Sequence, residues 1–229
     1  MKKINILAIT LFSMFAMFNA YGQETSTSNN VFIDQVGNSN TVTLTQTGAG
    51  NSIGNSSSDY ATITGDSNSV TMTQTGDNNI AQYVITGNAN TYLSDITGNG
   101  NQVQVTCGTS ENACSGVTIN QEIQGNSNSL VETISGTNIF SKTKVVGNMN
   151  DIEHNLTSSN GKLDVDISGD ENVMRHTQAG SAGVEGHNLI VTLAGSLNQV
   201  TTVQNGTIDT NVNINVNGSS NVINVLTGN

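Results

Sequence analysis

The chain has 229 residues but no proline, no tryptophan, only six lysines and arginines together, two cysteines and 4% aromatic residues. Each shortage excludes something. Without proline, one of the residues that blunt exposed sheet edges is missing. So few basic groups against 17 Asp and Glu, for a net charge of -11, cannot neutralise phosphates, which excludes nucleic acid as a partner. A charged fraction of 10% falls far below the roughly 25% of ordinary globular domains. Long apolar runs are also scarce. The one that exists, from Ile4 to Phe18, follows Lys2 and Lys3 and is shorter than the ~20 residues needed to span a bilayer. Followed by the small residues of "NAYGQ", it reads as a signal peptide over 1–22 cut after Gly22. The expected layout is then a short flexible segment at 23–30 and a repeat domain at 31–229, exported and without a transmembrane segment in its mature form.

What is present is glycine, asparagine, threonine and serine with regularly placed Val and Ile. Glycines recur in steps of 11 residues: Gly37 and Gly48; Gly65, Gly76, Gly87 and Gly98; Gly125, Gly136 and Gly147; Gly169 and Gly180; Gly195 and Gly206; with Gly218 one residue late. Three positions after most of them stands asparagine: Asn40, Asn51, Asn68, Asn79, Asn90, Asn101, Asn128, Asn150, Asn172, Asn198 and Asn221. Two positions before stands glutamine or an aliphatic, the glutamines being Gln35, Gln46, Gln74, Gln178 and Gln204.

Within a unit the period is 2. After Asn40, Val42, Leu44 and Gln46 alternate with Thr41, Thr43, Thr45 and Thr47, the pattern of a strand with one buried face. Each unit therefore predicts a strand and a Gly-x-x-Asn turn. Glycine supplies positive φ there. The Asn or Asp after it (Asn38, Asp66, Asp77, Asn88, Asn99, Asn126, Asn148, Asp170) tolerates the same region.

Two units close one coil of about 22 residues, giving an all-β solenoid of about eight to nine coils stacked at ~4.8 Å. A lone buried amide is costly. Identical amides one coil apart can instead bond into a ladder that sets register, so the Gln and Asn positions above form the expected structural ladder.

The stretch "DQVGNSNTVTLTQTGAGNSI" (34–53) resembles the curlin repeat, in which Gln-x-Gly-x-x-Asn occurs twice in about 22 residues. Complete matches are Gln35-Gly37-Asn40, Gln46-Gly48-Asn51 and Gln74-Gly76-Asn79; Gln178-Gly180 and Gln204-Gly206 keep the first half. The resemblance implies a secreted β-solenoid subunit that polymerises end to end into amyloid fibres of a biofilm matrix, serving adhesion. Its implied partners are further copies of itself, a nucleator subunit and an outer-membrane secretion apparatus. No cofactor and no catalysis are implied.

Other chemistry is thin. Cys107 and Cys114 in "CGTSENAC" suggest a loop-pinning disulfide in an exported chain; a redox or metal pair would lack CxxC spacing. His154 and His176 are 22 residues apart and so fall in one row, either as plain polar residues or as a metal or pH-responsive pair. The acidic residues, such as Asp164 and Asp166, read as a solvated face. Threonine rows at 41–47 and 71–75 raise ice binding or a non-polymerising adhesin as alternatives, although Phe140, Lys142 and Lys144 interrupt that face.

Overall fold

The computed structural model describes residues 9–10, 28–54, 60–180 and 186–228. It is an all-β solenoid of about eight turns, roughly 23 residues apart, without helix among the described residues. Most of the expected signal peptide and of the 23–30 segment lies outside the described residues; of the former, Ile9–Thr10 pairs antiparallel with Thr41 and Val42.

Two parallel sheets face each other. One stacks Thr41–Thr47, Ser69–Thr75, Thr91–Thr97 and Thr118–Gln124 in register, so that Gln46 lies beneath Gln74, and Gln74 beneath Ile96. The other runs through Asn30–Val31, Ser52–Ile53, Ile80–Asn88, Gln102–Cys107, Ser129–Ile134, Asp151–Leu156, Val173–Ala179 and Gln199–Asn205 to Val222–Gly228. Period-2 alternation does what it should. Leu130, Glu132 and Ile134 are buried between the sheets while Ser129, Val131 and Thr133 face outward or lie half-buried.

The shifts in the glycine period are excursions that leave the stacking intact. Ser52–Ile53 pairs with Ile80 and Ala81, and after the excursion Ala61–Thr64 rejoins the same rung against Val84–Thr86. Gln102–Cys107 leaves its rung at Cys107, opposite Ile85, and Cys114–Ser115 re-enters opposite Gly87. Residues 109–113 of the second excursion are exposed outside the rung, because a slip along the strand would turn every inward side chain to solvent.

The first sheet departs from the repeated-strand expectation beyond Gln124. Its later segments stack through isolated bridges, Thr118 with Phe140 and Phe140 with Lys162. Leu163, Val165 and Ile167 are still buried, as are Leu189, Val191 and Leu193. Between them Asp164, Asp166, Thr192 and Ala194 adopt φ of 66–79°, outside the strand region, so regular pairing is lost although the inward face is kept.

Candidate functional site

The corner leading into the second sheet carries one asparagine per coil: Asn29, Asn51, Asn79, Asn101, Asn128, Asn150, Asn172, Asn198 and Asn221. From Asn29 to Asn198 each Oδ1 accepts two hydrogen bonds from the asparagine one coil on, from its backbone N–H and its Nδ2. For Asn128 to Asn101 and for Asn150 to Asn128 all four distances are 3.0 Å. Nδ2 also donates onward to a turn-glycine carbonyl, as from Asn101 to Gly125 and from Asn128 to Gly147, both at 2.8 Å. The ladder continues through Asn198 to Asn221 without a break. The opposite corner carries a short version, Asn40, Asn68 and Asn90, ending where Val117 N–H donates to Asn90.

A second ladder lies outside the first and runs the other way. Asn99 N–H donates to Asn126 Oδ1, Asn126 to Asn148, Asn148 to Asp170 and Asp170 to Ser196 Oγ, so each N–H points toward the following coil. Asn38 and Asp66 do the same toward Asp66 and Asn88, and Ala49 and Asp77 toward Asp77 and Asn99. These Asn and Asp residues tolerate positive φ but do not adopt it. Instead the left-handed residue is the next one, Ser39, Ser67, Asn78, Ala89, Ser127, Met149 and Glu171, at φ of 54–59°. The side chain after glycine is used as an acceptor for the neighbouring coil.

The turn glycines stand at the corners, except that Gly87 is the last-but-one residue of the strand Ile80–Asn88. Their requirement is more than a dihedral one. A Cβ on Gly98 would lie 1.7 Å from the Gly125 carbonyl oxygen, and one on Gly195 would lie 1.8 Å from that of Gly218, although Gly195 does not have positive φ. Gly37, Gly48, Gly65, Gly76, Gly125, Gly147, Gly169 and Gly180 meet the next coil within 1.9–2.2 Å in the same way. Gly136 meets the Ser158 carbonyl and Gly87 that of Cys114, while Gly206 offers its own carbonyl to Gly180. Only hydrogen leaves room for coils to stack this closely.

The glutamines divide. Gln46 donates to Gln74 Oε1 at 2.8 Å, and Gln74 in turn to the Ser52 carbonyl. Gln35 pairs with Ile63, an aliphatic, so no amide ladder forms there. Gln178 and Gln204 are rung neighbours, but no bond joins their amides: Gln204 Nε2 donates to Asn188 and Thr210, and both amide atoms of buried Gln178 are without partners among the described residues. The ladder expected at Gln35, Gln178 and Gln204 is therefore not what the structure shows. Identical amides need identical coils to bond, and these coils differ. Cys107 and Cys114 are joined in a disulfide, with Cα atoms 5.8 Å apart, at the buried base of their loop.

Sequence reading placed the acids on a solvated face. Asp164 is there, paired with Lys142 at 3.3 Å. Glu132 is not: it is fully buried, its Oε2 accepting from Gln121 Nε2 at 2.8 Å. Burial raises its pKa to about 7, against the opposing hydrogen bonds of Ser141 and Gln121. Directly above it stand His154 and then His176, in register and buried, with ring centroids 6.4 Å apart. Burial pulls His154 well below its ordinary range, with His176 adding repulsion; His176 is lowered to about 3 by burial first and His187 second. The signal was legible. Glu132 has inward parity and is 22 residues before His154, as His154 is before His176.

Among the described residues the last rung, Val222–Gly228, pairs only with Gln199–Asn205, and its Val222 and Leu226 are 67% and 80% exposed. In the rungs below, the N–H of Asp151, Val173 and Gln199 each donates to a carbonyl of the following coil. Val222 occupies that position in the final rung. Among the described residues no helix is long and apolar enough to cross a membrane, and no group of three His, Cys, Asp or Glu could hold a metal ion. Comparison with known proteins finds no matching family model, no matching curated protein and no matching solved structure.

Proposed function

We propose that the chain is a secreted structural subunit that polymerises head to tail into an extracellular, curlin-type amyloid fibre serving matrix formation and adhesion, with no catalytic role. The observation that carries the reading is the repetition itself: the parallel sheet and the asparagine ladder pass from coil to coil in register with the same bonds. The asparagine ladder arrives at Asn221 with unchanged geometry, and Val222 presents its N–H where every earlier rung bonds to a further coil. An incoming first rung continues both the sheet and the ladder, and a screw-like contact of this kind does not close on itself. A nucleator and an outer-membrane export channel belong to the same reading.

Threonines stacked in register, Thr43 beneath Thr71 and Thr45 beneath Thr73, support a second reading in which a flat face binds ice or a surface without polymerisation. Leu93 and Asp95 end those two rows on the next coil. Mature protein incubated for days and followed by thioflavin fluorescence and electron microscopy separates the two. Seeded fibres support the first; lasting monomers with thermal hysteresis support the second and sink the first.

A further inference from the structure

The middle inward column of the second sheet reads Ala61, Tyr83, Val105, Glu132, His154, His176, Thr202 and Val225 along the stack. Only its centre is ionisable near neutral pH. Neither ring nitrogen of His154 has a hydrogen-bond partner among the described residues, nor does His176 Nε2; His176 Nδ1 shares a bond with Thr202 Oγ1 at 2.7 Å. The facing sheet supplies Gln121 to Glu132, with Tyr92 beyond, and His187 lies toward His176. Asp151, Glu153 and Arg175 are on the outer face of the same strands and pair there with one another. Among the described residues no countercharge other than Glu132 itself faces the two imidazoles.

We propose that the Glu132–His154–His176 column makes the central coils an acid-triggered opening point, where the solenoid comes apart locally while the coils before it stay closed. A buried imidazole without a carboxylate or carbonyl to receive its proton must remain neutral, and exposure lets it charge. The signs are these. Both histidines are lowered in the fold, so their contribution to stability is present above their ordinary 6.5 and is lost as pH falls below it. Glu132 is raised, so opening releases its proton between about 4.5 and 7 and offsets one of the two taken up. Opening in that window therefore takes up a net of about one proton, which corresponds to about tenfold in the opening constant per pH unit.

Amide hydrogen exchange on the mature protein between pH 7.5 and 4.5, corrected for intrinsic rates, tests this. It reads the monomer or the fibre equally, so its result is independent of whether the chain polymerises. Below pH 6.5 the opening constants of Ser129–Ile134, Asp151–Leu156 and Val173–Ala179 are expected to rise about tenfold per unit, with Ser69–Thr75 and Thr91–Thr97 unchanged. Glu132→Gln removes the offsetting proton and steepens the rise to about a hundredfold per unit. Histidine Cε1–H shifts of the wild-type chain provide an arm without any variant: two of the three histidines stay neutral in the folded state and titrate only with opening. Equal acceleration in all coils, an unchanged slope in Glu132→Gln, or ordinary titration of every histidine in the closed fold would overturn the proposal.

Discussion

Asn128 Oδ1 accepts both the backbone N–H and the Nδ2 of Asn150, each at 3.0 Å, while its own Nδ2 reaches the Gly147 carbonyl at 2.8 Å. One side chain thus holds its coil to the next through three bonds, in a site where water does not reach. Asn128→Ala leaves buried donors without acceptors, at about 1–3 kcal/mol for each unsatisfied group. We expect a loss of about 3 kcal/mol in urea unfolding, against under about 1 kcal/mol for Asn148→Ala in the exposed outer ladder. Equal losses at the two positions would contradict the inner ladder's role.

Two glycines separate the dihedral from the steric requirement. Gly100 has φ of 65° but its Cβ would meet nothing closer than Ser127 Oγ at 3.8 Å; Gly195 lacks positive φ but would drive a Cβ to 1.8 Å from the Gly218 carbonyl. Gly100→Ala should cost about 1 kcal/mol. Gly195→Ala should exceed about 3 kcal/mol or prevent folding of the last coils. Circular dichroism with thermal melting ranks them.

The disulfide closes a short loop, Cys107 to Cys114, at a sequence separation of 7. For so small a loop the chain-entropy effect is about 2–3 kcal/mol. Unfolding with and without reductant measures it. The strand register on either side, set by the Asn101 to Asn128 bonds, should survive reduction.

Glu132 predicts an alkaline effect distinct from the acid one. A carboxyl raised from 4.5 to about 7 contributes stability below 4.5 that is lost as pH rises through 7. The shift corresponds to roughly 3 kcal/mol. Glu132→Gln should therefore be more stable than the parent at pH 8.5 and lose that advantage near pH 4.5. Denaturant midpoints at the two values check it.

Proline at Val222 or Leu226 removes an N–H that faces the open edge rather than Gln199–Asn205. Both variants should fold as monomers with unchanged far-ultraviolet circular dichroism. Neither should elongate when seeded with parent fibres. Normal elongation by Val222→Pro would move the growing contact away from this end.

The period of the glycines, the inward parity of Val42, Leu44 and Gln46, and the asparagine corners were legible in the amino-acid order, because each is a local rule with a spacing of 2 or 11. Positions that needed a neighbour to define them were not. Glu132 shows inward parity and a 22-residue spacing to His154 in the sequence, but its loss of water and its bond from Gln121 come from the facing sheet. Gln178 looked like a ladder rung until its coil turned out to differ from that of Gln204. Gly195 looked like a turn former, whereas a carbonyl 1.8 Å from its absent Cβ is the constraint. Sequence alone determined that this chain coils and how long each coil is, since hydrophobic alternation and turn residues act within one unit. Tertiary structure alone decided the opposed direction of the two ladders, the places where loops leave a rung, and which ionisable groups lose water, since those depend on what the adjacent coil brings within hydrogen-bonding reach.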